Sequence, residues 1–156
     1  MLLKERISVI RSVIILILTF CSAGLGEAIA NEARALRSSA FNDLKTSIIV
    51  SPKEPARIFK TKDGYLRFIG AAPSTYFTVS PGTAEEMADA FLGKWWNLFV
   101  NESPAVGFDI KRIKSSDERS YVRYRQIYSG LEVFGAEAIV QVNATGGVVA
   151  FSGVFI

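Results

Sequence analysis

The chain has 156 residues, 49% of them hydrophobic and 21% charged, with a formal net charge of +3. That composition fits an ordinary globular domain and excludes intrinsic disorder, collagen and a disulfide scaffold. Histidine is absent and Cys21 is the only cysteine, so a thiolate or imidazole zinc site, a Ser-His triad and a Cys-His dyad are all beyond this chain's own residues. The 18 basic and 15 acidic residues are scattered, without the clustered basic stripe that nucleic-acid binding uses.

Residues 1–30 read as a secretory signal. Lys4, Arg6 and Arg11 form a positive n-region, Val13 to Phe20 is apolar except for Thr19, and Ala28-Ile29-Ala30 offers a small-x-small cleavage site. Cleavage there leaves Asn31 first and no cysteine, so the exported chain depends on core burial without a disulfide. The predicted location is secreted or periplasmic. The alternative is a membrane anchor over residues 12–25, but its unbroken apolar run is roughly half of the ~20 residues a spanning helix needs.

Residues 31–60 mix small, polar and charged side chains around Pro52 and Pro55 and read as a weakly ordered lead-in to a domain over residues 61–156. Lys62-Asp63-Gly64 is a turn signal, followed by a short strand from Tyr65 to Ile69 that Gly70 ends. Pro73 and Pro81 bound another extended piece around Tyr76 to Val79.

Thr83 to Phe99 is the clearest helix. Thr83 with Glu86 three residues on forms a capping box, and Glu85, Glu86 and Asp89 lie where the helix dipole favours negative charge. Met87, Phe91, Trp95 and Leu98 make one apolar stripe, while Leu92, Trp96 and Phe99 form a second row. Trp96 fits either the domain's own rim or a docked partner.

Past Pro104 the period becomes alternating. Phe108, Ile110 and Ile113 form one strand, and residues 115–118 turn the chain. The next strand, Tyr121 to Tyr128, places Val122, Tyr124, Gln126 and Tyr128 on one face and Tyr121, Arg123, Arg125 and Ile127 on the other. Ser129-Gly130 breaks it. Leu131, Val133 and Phe134 then lead through Gly135 into Ala136 to Val142, and Thr145-Gly146-Gly147 turns the chain into Val148 to Phe151. The pattern predicts an α+β roll, one capped helix packed on an antiparallel meander of three to four strands. Arg123 and Arg125, with basic neighbours at 111, 112 and 114, make either a steering face for an acidic partner or an ordinary solvated strand face.

The run Tyr124-x-Gln126-x-Tyr128-x-Gly130-x-x-Val133-Phe134-Gly135 resembles the signature of the fungalysin/thermolysin propeptide family, and the order of elements from about Thr61 to Val154 agrees with it. The resemblance implies a cystatin-like fold and a non-catalytic domain lying between a signal peptide and a zinc metallopeptidase. It implies a protein that assists folding of the peptidase and keeps it inactive, with no cofactor of its own. The implied partner is the peptidase catalytic domain, in cis or in trans, because the His-Glu-x-x-His chemistry belongs there. Two other readings stay open: the N-terminal piece of the zymogen itself, or an envelope-associated binding module with an unrelated ligand. The candidate partner-binding residues are Tyr124, Gln126, Tyr128, Phe134, Gly135 and Trp96. Structural roles compete for them: sheet core for Tyr124 and Tyr128, a satisfied neighbouring backbone for Gln126, a bend or bulge for Gly135. As a partner contact, Gln126 is expected to cost little stability when replaced, whereas Phe91 is expected to cost a core cavity.

Overall fold

The computed structural model describes residues 26–46, 56–100 and 105–156. The n-region, the apolar run of the signal and the anchor over 12–25 lie outside the described residues. The chain divides into two units, Met1–Ser39 and Ala40–Ile156.

Residues 26–46 are helical (α1), including Ala28-Ile29-Ala30. Residues 31–46 of the expected lead-in are thus helical, and residues 47–55 of it lie outside the described residues. The apolar signal in this stretch is sparse, and its mark is the spacing of Ala40, Phe41 and Leu44 on one helix face. Within the second unit Leu44 is fully buried, and Ala40 and Phe41 pack against the same core.

Six strands follow in one antiparallel sheet: β1 (Arg57–Lys60), β2 (Leu66–Gly70), β3 (Val106–Ser115), β4 (Arg119–Tyr128), β5 (Leu131–Asn143) and β6 (Val148–Gly153). Their spatial order is β1-β2-β6-β5-β4-β3. The meander β3 to β6 agrees with the expected one, and the count of three to four strands is corrected to six. β2 joins the sheet beside β6 with Ile69 opposite Phe151, and β1 pairs outside it. The physical reason is main-chain satisfaction: β6 would otherwise bury Phe151 while leaving one side of its backbone without partners. The sheet therefore starts at Arg57, inside the stretch read as lead-in. Beside it the Lys60 ammonium lies 3.3 Å from the centre of the Phe41 ring, a cation–π contact.

Helix α2 (Ala84–Trp95) starts where the capping box predicts. The Glu86 N–H donates to Thr83 Oγ1 at 3.2 Å, and the Thr83 N–H donates to Glu86 Oε2 at 2.7 Å. Met87, Ala88, Phe91, Leu92 and Trp95 are buried against β4, β5 and β6, and the helix tightens into a 3-10 turn over Trp96–Leu98. Phe91 lies between Phe77 and Phe99, with ring centres 5.7 and 6.0 Å away, and Phe99 stacks on Phe151 at 3.9 Å. On β3 the step from Ile110 to Ile113 is rephased by a bulge between Ile110 and Arg112, which returns Ile113 to the face of Val122.

Because Phe91 is enclosed by aromatic neighbours that cannot collapse onto the space, Phe91→Ala is expected to lower the unfolding free energy by about 3–5 kcal/mol in urea melts. A loss below about 1 kcal/mol would contradict this packing.

Candidate functional site

Of the signature residues, Tyr128, Gly130, Val133, Phe134 and Gly135 lie at the end of the β4–β5 hairpin. Tyr128 pairs with Leu131, and the two residues between them, Ser129 and Gly130, have φ of 48° and 83°. Positive φ at both positions is the signature of a type I′ turn, which matches the twist of the flanking strands.

Beyond Glu132 the ladder changes register. Ile127 faces Glu132 and Arg125 faces Glu137, so five steps along β5 span what two steps span on β4. The excess chain leaves the sheet at Val133-Phe134-Gly135, where Gly135 has φ of 78°. That conformation strains any side chain bearing a Cβ. The consequence is that Phe134 is 99% exposed; beside the turn, Leu131 is 74% and Tyr128 53% exposed. Three large apolar side chains stand in water within residues 128–134, against the usual preference for burying such groups.

The same register shift leaves Gln126 without a residue opposite it on β5. Gln126 is 1% exposed. Its Nε2 donates to the Ile156 main-chain oxygen at 2.7 Å, and its Oε1 accepts from the Ile156 N–H at 2.9 Å. The side-chain amide thus imitates a peptide group and holds the segment after β6 in the gap that the bulge opens. Phe155 is buried beside it, with its ring 4.4 Å from Phe108 and 6.1 Å from Phe151.

Tyr124 faces inward, and its hydroxyl donates to Asp89 Oδ1 at 2.7 Å, tying β4 to α2. Burial first, and then this bond to a carboxylate, push the Tyr124 phenol well above its ordinary value. Trp96 is half-buried, edge-on to Phe108 at 5.1 Å. It lines a cleft of about 480 Å³ together with Asp89, Leu92, Gly93, Phe108 and Tyr124.

The structure therefore separates the candidates. Tyr128, Phe134 and Gly135 come together at the hairpin. Tyr124 and Trp96 line the cleft under α2, and Gln126 is a buried clasp. Val122, Tyr124 and Gln126 share the inner face as expected, but Tyr128, read as core by its alternation, is exposed because it lies at the hairpin's end. Asp89, Phe155 and Ile156 were not singled out by the sequence as partners of these residues, since they lie about 30 positions away and no local pattern marks them.

On the opposite face Arg123 and Arg125 are balanced by acids. Lys111 and Arg123 both bind Glu137, the latter at 2.7 Å. Lys111 also reaches Glu132 at 3.8 Å, and Arg125 bonds Glu132 at 3.0 Å and Asp109 at 3.4 Å. These cations bridge the two ends of the bulge, Glu132 and Glu137, so this part of the face is not a basic steering surface. Hydrogen bonds from Lys111 and then Arg123 hold the Glu137 carboxyl below its ordinary value. Among the described residues no group of three or more His, Cys, Asp or Glu side chains is placed to hold a metal ion. No helix among them is long and apolar enough to cross a membrane.

Residues 110–155 match the family model described as the Fungalysin/Thermolysin Propeptide Motif. The match covers the whole hairpin, the bulge and Gln126, and it starts after α2. The motif is that of propeptides of thermolysin-like peptidases, which are not catalytic domains. No curated protein and no solved structure matches the chain.

Two substitutions separate clasp from surface. Gln126→Ala leaves the Ile156 main chain unpaired and is expected to cost about 1–3 kcal/mol, which reverses the small cost expected from the sequence. Phe134→Ala removes a side chain that touches almost nothing and is expected to stay within about 0.5 kcal/mol of the parent. Urea melts of the two variants check the order. A lowered carboxyl value stabilises the fold above the ordinary range and loses that effect as pH falls through the folded value. The stability gap between the parent and Glu137→Gln is therefore expected to be full at neutral pH and to close on acidification below about pH 4.5. A gap that is flat across that window would contradict the ion-pair assignment.

Proposed function

We propose that the chain is an exported, non-catalytic prodomain that assists folding of a thermolysin/fungalysin-like zinc metallopeptidase and inhibits it by protein–protein binding, in cis or in trans. The observation that carries this reading is the placement of Phe134. An aromatic ring held in water by a positive-φ glycine and a register shift, inside the matched propeptide motif, has no role in the domain's own core. Such a residue suits a binding anchor, because aromatic side chains contribute large contact area at low conformational entropy cost. Tyr128 and Leu131 extend the same apolar tip. Affinity is the mechanism: a partner that binds the native peptidase and not the unfolded one stabilises it by about 2.7 kcal/mol when present at a hundred times its Kd. Export follows from the signal reading, with cleavage near Ala30. The packing of α2 across β4, β5 and β6 supports the cystatin-like classification.

The test is inhibition and refolding of a thermolysin-like peptidase from the same source. The parent chain is expected to inhibit and to raise the refolding yield. Phe134→Ala is expected to weaken inhibition by roughly 30-fold, the loss of an anchor worth about 2 kcal/mol. A parent chain that neither inhibits nor aids refolding at high micromolar concentration would overturn the reading.

A further inference from the structure

A second surface lies away from the hairpin tip, at the outer edge of β3. β3 is the terminal strand, and among the described residues no strand pairs with the side facing away from β4. Along its ten residues, N–H and C=O groups on that side have no ladder partner among the described strands, the condition under which a sheet accepts an added strand. Phe108 and Ile110 share the inner face with Gln126 and Tyr124, and both are only half-buried. Trp96 stands over Phe108, and the gap between α2 and the strand is the cleft already described. Further along β3 the chemistry changes. Arg112 and Lys114 are exposed and, unlike Lys111, belong to no ion pair among the described residues. Their register places them on the face of Arg123 and Tyr121, opposite to the apolar one.

We propose that the free edge of β3 receives an extended segment of another protein in which carboxylates alternate with bulky apolar residues. The segment adds a seventh strand. An apolar side chain on its inner face enters the cleft that Trp96, Phe108 and Tyr124 line, and carboxylates on its outer face meet Arg112 and Lys114. Charge selects this occupant over a second copy of the chain, because pairing two β3 edges brings Arg112 and Lys114 of both copies, which belong to no ion pair among the described residues, to one seam, where like charges oppose association. The surface does not use Phe134, so this inference stands or falls separately from the peptidase reading.

The probe is a short soluble peptide in which glutamate alternates with leucine, titrated into the full chain and followed by amide NMR. A peptide of the same composition with the two residues in separate blocks serves as control. The alternating peptide is expected to shift the β3 amides and the Trp96 indole saturably, while the block peptide leaves them unmoved. The double variant Arg112→Ser, Lys114→Ser, confined to exposed positions, is expected to weaken binding three- to tenfold, the range of two exposed ion pairs, and added salt should act in the same direction. Three results would overturn the proposal: no shift of β3 at millimolar peptide, shifts confined to residues 128–134, or concentration-dependent self-association through β3 without peptide.

Discussion

The structure turns on one mismatch of length. Between Ile127 and Arg125 β4 advances two steps, while β5 advances five between their partners Glu132 and Glu137. A ladder hydrogen-bonded on both sides of such a mismatch has to expel the excess, and the backbone groups it leaves behind have to be satisfied elsewhere. Both outcomes are visible. The expelled residues carry Phe134 into water, and the vacated position on β4 is Gln126, whose amide takes the Ile156 main chain instead. The exposed aromatic and the buried glutamine are two results of one register shift.

Around that mismatch the domain is held by packing and by cross-ties between distant parts of the chain. α2 buries its apolar stripe on three central strands, the Tyr124–Asp89 bond joins helix to sheet, and the cations on the far face bridge the bulge from Glu132 to Glu137. These exposed ion pairs are each worth little. Their contribution is to keep the bulge in one register, since Lys111 reaches both of its ends. A rigid protrusion presents its side chain with less ordering cost on binding than a flexible loop would.

Much of this was legible in the sequence, and the division has a physical basis. Local rules gave the capping box at Thr83, the stripe through Phe91 and Trp95, the Ser129-Gly130 turn and the inward alternation of Val122, Tyr124 and Gln126, because each depends on residues within one turn or one hairpin. A register shift is a relation between two strands, so Gly135 suggested a bulge but nothing showed that it would throw Phe134 outward. Gln126 finds its partner 30 residues away, and only the fold brings them together. The helix over 26–46 was missed because its apolar face is marked by few large residues. The pairing of β1 was missed because a four-residue strand has too little pattern to read.

In the proposed function the surplus of β5 over β4 is what grips the partner. This is tested most directly by removing Val133, Phe134 and Gly135 together and measuring inhibition of the peptidase by the folded variant. Without these residues β5 continues in register, with Ala136 opposite Gln126, and the shortened domain is expected to keep its cooperative unfolding and lose inhibition. A shortened domain that inhibits as well as the parent would contradict this.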